Sequence, residues 1–181
     1  PRAYYYPDRK WKTGFVGGDY QWLDDDGRGG RDLDARTLFF YQATLNTPAM
    51  ALEMVGVGSQ YALTDRDAAG AFLYGDNNYR PTLPAGVPAK DFWSVIAYDP
   101  HTRSELQTGQ PLPSRNNQSN SDELTYNEDG SIDLLFGPEP PTKRVGNWIQ
   151  TEPTKSWYAI MRLYGPLKPW FDKTWVPNDI E

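Results

Sequence analysis

The sequence of 181 residues contains no cysteine and only one histidine. The lack of cysteine excludes disulfide frameworks, thiol nucleophiles and thiolate metal sites. A single histidine leaves ordinary zinc and non-haem iron sites without most of their ligands. We therefore expect no cofactor, and a chain of this length can bury a core without covalent cross-links.

Clusters of basic residues and long apolar runs are also missing. The 18 Lys+Arg and 24 Asp+Glu give a formal net charge of −6, and the basic residues are scattered along the chain. Nucleic-acid-binding domains concentrate basic charge on one surface, so we expect no nucleic-acid partner. No apolar run approaches the roughly 20 residues of a membrane-spanning helix, so we expect no membrane span.

Glycine, proline and aromatic residues are abundant, with 16 Gly, 16 Pro and 26 aromatic side chains (7 Trp, 12 Tyr and 7 Phe). This composition is typical of short strands joined by tight turns around an aromatic core. Residues 1–30 combine proline, glycine and charge without a period, which predicts an irregular N-terminal arm.

One helix stands out in the segment "DLDARTLFFYQATLN". It lacks Gly and Pro, and Asp32 or Asp34 can serve as N-cap. We predict a helix over 33–46, packed on the following domain, because its apolar residues lie on more than one side and need cover on most sides. Thr47 and Pro48 can start a second short helical turn through Met54.

From Gly58 onward, short apolar runs separated by Gly, Pro, Asn and Asp predict a β domain over 31–181. Alternation in Trp157–Tyr164 places Trp157, Ala159, Met161 and Leu163 on one face, while Phe92–Asp99 is apolar on both faces and should be central. The turn residues "NEDGS" should join two of the strands as a hairpin. The predicted strands are Ser59–Thr64, Phe72–Tyr74, Asn78–Leu83, Phe92–Asp99, Glu105–Thr108, Glu123–Tyr126, Ile132–Phe136 and Trp157–Tyr164.

Eight such strands predict a mainly β fold, an antiparallel β-sandwich of jelly-roll type with one N-terminal helix. Near the C-terminus the sequence is too rich in proline for a long helix. A short C-terminal helical turn is predicted within Lys168–Thr174.

Six segments, taken in order, resemble one bacterial family, the domain of unknown function 1214: "DLDARTLFFYQAT", "GSQYALTDRD", "DFWSVIAYDPHTRSELQT", "NEDGSIDLLFGP", "NWIQTEP" and "RLYGPLKPWFDKTW". The resemblance implies a jelly-roll sandwich and, for many members, export, so we expect a periplasmic or secreted protein. Such domains usually follow a domain of unknown function 1254, and since the chain starts at Pro1 we expect this upstream partner domain to be absent. The resemblance supplies no catalytic residues.

The segment "YDPHTR" contains the only histidine. Asp99 and Pro100 are residues that form turns, and this explains both without catalysis. The alternative is a hydrolase in which Asp99 orients His101 as a base for Ser94 or Ser104, although no G-x-S-x-G motif is present. Within this turn, the Asp99 corner, Arg103 is a stronger functional candidate than His101.

Arg103 and Arg162 lie within apolar alternation, where an arginine must reach solvent or find a carboxylate. Either residue pairs with Asp91, Asp99 or Asp133, or its guanidinium binds a ligand carboxylate or sulfate. Other binding candidates come from the aromatic residues and from one strand entry. These are Trp93, Tyr98 and Asn147.

Acidic residues suggest two further sites. Asp24, Asp26 and Asp32 are candidate calcium ligands, but Arg28 and Ala35 break the EF-hand pattern, and a solvated acidic loop that caps the helix explains them better. A hydrolase acting on a glycan needs two carboxylates, one of them in an apolar setting. The candidates near strand ends are Asp91, Asp99 and Glu105.

Two functional hypotheses follow. The first is a binding or scaffolding module of a bacterial cell-envelope protein. Its small-molecule or glycan site would lie at the sandwich mouth or a domain junction, and its partner would be its own N-terminal domain or a second copy. The second is a carboxylate-based hydrolase or lyase. We prefer the first because no catalytic constellation is evident, although fold alone does not determine function.

Overall fold

The computed structural model describes residues 3–24 and 27–181, in which short strands are the main regular structure. The α-helices of the described residues are α1 (Leu33–Ala43), α2 (Pro48–Ala51) and α3 (Lys168–Phe171), and Val145–Asn147 form a 3-10 helix. The strands are, in chain order, β1 (Leu23–Asp24), β2 (Gly30–Arg31), β3 (Ser59–Thr64), β4 (Thr82–Leu83), β5 (Ala89–Tyr98), β6 (Ser114–Asn116), β7 (Ile132–Asp133), β8 (Leu135–Gly137), β9 (Trp148–Gln150) and β10 (Tyr158–Pro166).

The main sheet is antiparallel and has the strand order β3-β10-β5-β6. Ala159, Met161 and Leu163 of β10 are completely buried, whereas Ile160, Arg162 and Tyr164 between them are partly exposed. Side chains alternate between the two faces of a strand, so β10 divides the sheet into a core face and a second face, here called the outer face. The alternation predicted for Trp157–Tyr164 is confirmed, and β5 is a central strand as predicted.

Short ladders complete the β structure. β4 pairs with β7 and β1 with β2, both antiparallel, while β8 and β9 run parallel. A mainly β, mostly antiparallel fold is therefore confirmed, but these pairings do not confirm a jelly roll. The short C-terminal helical turn is present as α3.

The hairpin predicted around "NEDGS" is only partly formed. The Asn127 N–H donates to the Ser131 carbonyl at 2.8 Å, which closes the turn. Residues 123–126 before it are not a strand. The amide side chain of Asn147 instead bonds both the N–H and the carbonyl of Thr125, each at 2.8 Å, so these groups have no need of a ladder partner. The strands predicted at Phe72–Tyr74 and Glu105–Thr108 reduce to isolated bridges.

Helix α1 belongs to a small cluster of its own. Asp32 caps it, accepting a hydrogen bond from the Ala35 N–H at 2.9 Å. The helix ends at Ala43 rather than at residue 46, because Thr44 adopts a left-handed φ of 65° that a helix cannot continue through. Phe39 and Ala35 pack with Trp22, apart from the main core.

The N-terminal arm contributes to the main core. Tyr6 and Trp11 are buried within it, and the Trp11 Nε1–H donates to the Asn178 carbonyl at 3.0 Å. This hydrogen bond connects the N-terminal arm to the C-terminal segment of the described chain. None of the helices in the described residues is long and apolar enough to cross a membrane.

The division into two faces makes a testable prediction. Leu163→Ala removes a fully buried side chain from β10 and should lower the free energy of unfolding by about 2–5 kcal/mol. Leu112→Ala, which truncates a side chain that is 60% exposed, should change it by less than about 0.5 kcal/mol. Chemical denaturation measures both variants, and equal losses would contradict the assignment of the core face.

Candidate functional site

The outer face of the main sheet gathers arginine and tyrosine side chains from three strands. Arg162 of β10 lies opposite Tyr61 of β3 on one side and Ser94 of β5 on the other. Tyr158 lies opposite Tyr98, and their rings stack with centroids 5.4 Å apart. Directly paired residues point to the same side of a sheet, so strand pairing alone brings these groups together.

A cavity of about 270 Å³ lies between this face and α1. On the sheet side it is lined by Tyr61, Leu63, Ile160 and Arg162. Opposite them, the lining comes mainly from Phe15, Phe39, Ala43 and Met50, with Gln42 beside them. The Phe15 and Phe39 rings stack at 4.9 Å, so most of the lining on the helix side is apolar.

Of the described residues that line this cavity, Arg162 is the one cation. Its Nη2 donates to the Tyr98 hydroxyl at 2.7 Å, and its Nε is buried with no hydrogen-bond partner. Burial acts to lower the pKa of Arg162, but the phenols of Tyr98, Tyr164 and Tyr61 oppose this and the net shift is upward. Within residues 3–24 and 27–181 no carboxylate forms an ion pair with it.

Arg103 connects the outer face to α1. Its guanidinium carbon lies 4.5 Å from the centre of the Tyr41 ring and 5.3 Å from that of Tyr158. Its backbone is left-handed, with φ 63°, which is uncommon for a residue other than glycine. The cation therefore sits between an aromatic ring of the helix and one of the sheet, and we call this arrangement the Arg103 clasp.

The Asp99 corner is a closed turn. One carboxylate oxygen of Asp99 accepts the backbone N–H groups of His101 at 2.8 Å and Thr102 at 3.2 Å, and the other accepts Lys155 Nζ at 2.9 Å. The hydrogen bond from Lys155 is the main reason that the pKa of Asp99 is lowered to about 2. Asp99 contacts the backbone of His101 rather than its imidazole, and His101 is exposed, so the corner is built as a turn.

The other candidate carboxylates differ in position and in their partners. Asp91 is exposed at the opposite end of β5 from Asp99, and eight residues of strand correspond to about 26 Å. Glu105 forms a β-bridge with Tyr98, the residue next to Asp99, and within the described residues it forms no ion pair with Arg103 or Arg162. Asp133 pairs with Arg144 at 2.9 Å. Asp91 and Asp99 therefore cannot act as the closely spaced pair that a glycosidase needs.

Two binding candidates lie in structural positions. Trp93 is buried in the main core, opposite Leu163. Asn147 is fully buried, and its side chain bonds the backbone of Thr125 and, at 2.8 Å, the carbonyl of Asp133. Tyr98 is the one member of this group on the outer face, where it contacts Arg162.

The calcium candidates do not form a recognisable centre in the part of the chain that the structure describes. Asp32 caps α1 and Asp24 lies in β1, while Asp26 falls outside the described residues. No group of three or more acidic or histidine side chains suited to a metal occurs in the described ranges.

Tyr41, Tyr61 and Phe39 are site residues that sequence reasoning missed. Alternation along β10 does place Tyr158, Ile160 and Arg162 on one face, and this signal was available. Nothing local indicates that Tyr61 pairs with Arg162, about a hundred positions away, or that α1 covers them.

The comparisons with known proteins concern the same region. The family model described as "Protein of unknown function (DUF1214)" matches residues 58–168. A crystal structure of the VPA0106 protein from Vibrio parahaemolyticus matches with a TM-score of 0.63 and 21% identity, covering 91% of this chain and 39% of the Vibrio chain. This chain thus spans well under half of that protein, and the likeness concerns the fold.

A crystal structure of an uncharacterized protein from Burkholderia cenocepacia matches with a TM-score of 0.40 and 23% identity. That match covers 68% of this chain and 28% of the Burkholderia chain. A search of curated proteins finds no match.

The Asp99–Lys155 pair predicts a specific acid sensitivity. Because the pKa of Asp99 is lowered from 3.8 to about 2 in the folded state, its contribution is present above about pH 4 and is lost as the pH falls towards 2. Asp99→Asn should lower stability at pH 7 by about 1–2 kcal/mol and flatten the decline between pH 4 and 2. Denaturant unfolding across this range measures it. An unchanged acid profile in Asp99→Asn would contradict the pairing, and Lys155→Met should show the same flattening.

The Arg103 clasp predicts a local effect on α1. Tyr41→Ala removes a cation–π contact worth about 0.5–1 kcal/mol at an exposed site. Amide hydrogens of α1 should then exchange about two- to fivefold faster, while those of β5 and β10 keep their rates. Phe40→Ala is the matched control, since Phe40 is 63% exposed on the same helix. Equal acceleration in both variants would show that the clasp contributes nothing.

Proposed function

We propose that this chain, which belongs to the family of proteins of unknown function DUF1214, is a binding module whose ligand site is the cavity between α1 and the outer face. One observation carries the proposal: a cationic side chain without a carboxylate partner in the described chain, Arg162, lines an otherwise mostly apolar cavity. Ligand sites are commonly apolar, with a few polar groups that orient the ligand. The cavity volume of about 270 Å³ is close to the lower end of the range for such sites, about 300 Å³.

The enzyme alternative has less support. A carboxylate-based hydrolase or lyase needs two acidic groups near the reacting bond, and no acidic side chain is found among the described residues that line the cavity. Asp99, the most buried of the candidates, is already engaged by Lys155 and two backbone amides. A binding site needs only an apolar cavity and a polar group that orients the ligand, and Arg162 can supply that group.

The wider setting belongs to the same proposal. We infer a jelly-roll sandwich that works as a binding or scaffolding part of a cell-envelope protein, periplasmic or secreted, and that contacts an N-terminal domain of its own or a second copy. The resemblance in sequence supports export, and the length of the Vibrio chain beyond its matched part supports a further domain. Exposed apolar residues of α1, including Leu33 and Phe40, support a contact surface there.

A ligand screen with a filled cavity tests the site. Small aromatic and aliphatic compounds, both neutral and anionic, are screened by thermal shift, because a ligand of the native state raises Tm. Ala43→Phe adds a ring at a position that lines the cavity and should abolish the shifts given by the native chain. Ala69→Phe, at an exposed turn, is the control and should retain them.

The outcome of this screen is decisive for the location of the site. Shifts that persist in Ala43→Phe would place binding elsewhere and overturn the proposal. A complete absence of shifts with the native chain would overturn it equally. Circular dichroism of both variants verifies that each is folded.

A further inference from the structure

We infer that the ligand of this cavity is a compact apolar carboxylate, whose carboxyl group binds the Arg162 guanidinium and whose body packs against the aromatic and aliphatic lining. The inference rests on the proposed function and adds the chemical class of the ligand. Three features of the structure carry it: the charge of Arg162, its unused hydrogen-bond donors, and the shape and polarity of the cavity.

Arg162 is partly buried and forms no ion pair in the described residues, which is also true of Arg66, Arg103 and Arg115, but of these four it alone lines the cavity. Lys12 pairs with Asp65 at 2.5 Å, and Arg144 pairs with Asp133 and Lys155 with Asp99, both at 2.9 Å. Carboxylates are not scarce, since acidic residues outnumber basic ones by 24 to 18. Burial of a cation without a counter-charge is costly. A negative group supplied by a ligand would remove that cost.

The Arg162 guanidinium has hydrogen-bonding capacity available for a ligand. Arginine has five N–H groups in a planar fork that matches a carboxylate. Arg162 Nη2 donates to the Tyr98 hydroxyl and the Tyr164 phenol is a further hydrogen-bonding neighbour, but Nε is buried without a hydrogen-bond partner. Tyr98 itself remains a neutral phenol, because burial raises its pKa. A phenol partner therefore holds the fork in place without neutralising it.

The lining specifies the rest of the ligand. Phe15, Phe39, Met50, Leu63 and Ile160 offer apolar surface, which disfavours a bare hydrated anion such as sulfate because such an ion would lose its hydration there. At about 30 Å³ for each water-sized group, a cavity of about 270 Å³ has room for roughly nine groups. Benzoate has this size, and benzamide is its neutral counterpart of nearly the same shape.

The test compares these two compounds. Benzoate and benzamide are titrated by calorimetry into the native chain, Arg162→Gln and Arg80→Gln. Arg80→Gln is the matched control. It removes the same charge as Arg162→Gln, but Arg80 is exposed and does not line the cavity. The native chain and the control should bind benzoate about ten- to hundredfold more tightly than benzamide, as a charge-assisted hydrogen bond predicts. In Arg162→Gln this preference should disappear.

The outcomes separate the ligand class from the site itself. Equal affinity for the two compounds in the native chain, with both lost in Ala43→Phe, would overturn the carboxylate assignment while the binding site stands. A preference for benzoate that survives in Arg162→Gln would also overturn it. If neither compound binds although neutral ligands stabilise the native chain, the carboxylate class is wrong. If no ligand binds at all, the proposed function fails as well. Arg162→Lys, which keeps the charge, should retain part of the preference.

Discussion

The alternation of side chains along β10 is the constraint on which the rest of the structure depends. Its hydrogen bonds with β3 and β5 hold every second residue against the main core, so the residues between must lie on the opposite side. A shift of one position would expose Met161 and Leu163 and bury Arg162. Burial of the core residues thereby fixes Arg162 on the outer face. The register of β10 with β3 and β5 is what places a charged group there.

The surroundings of Arg162 then determine what the outer face can do. Tyrosines on neighbouring strands hold the guanidinium by hydrogen bonding and ring contacts, and α1 covers the space beside it. The Arg103 clasp spans the helix and the sheet at the edge of this region. Together these contacts produce a mostly apolar cavity beside a held cation, and no acidic side chain of the described residues lines it.

Prediction from the sequence succeeded where the signal is local. The alternation of Trp157–Tyr164, the strand Ser59–Thr64 and the cap at Asp32 all depend on residues close in sequence. It failed where contacts between residues distant in sequence determine the local structure. The Asn147 side chain bonds the backbone of Thr125, so the strand predicted before "NEDGS" does not form. The pairing of Tyr61 with Arg162 and the placement of Phe39 over the sheet are likewise set by tertiary packing. Arg103 and Arg162 were identifiable as candidates, but only the structure shows that neither forms an ion pair within residues 3–24 and 27–181.

The most direct test of the central claim is the location of a bound carboxylate relative to Arg162. Intermolecular nuclear Overhauser effects between the ring protons of benzoate and the protein can be recorded with selectively labelled Ile, Met and Arg side chains. We predict contacts with the Ile160 and Met50 methyl groups, together with a shift of the Arg162 Nε–H resonance. Contacts confined to residues outside the cavity, with the Arg162 resonance unmoved, would contradict the account.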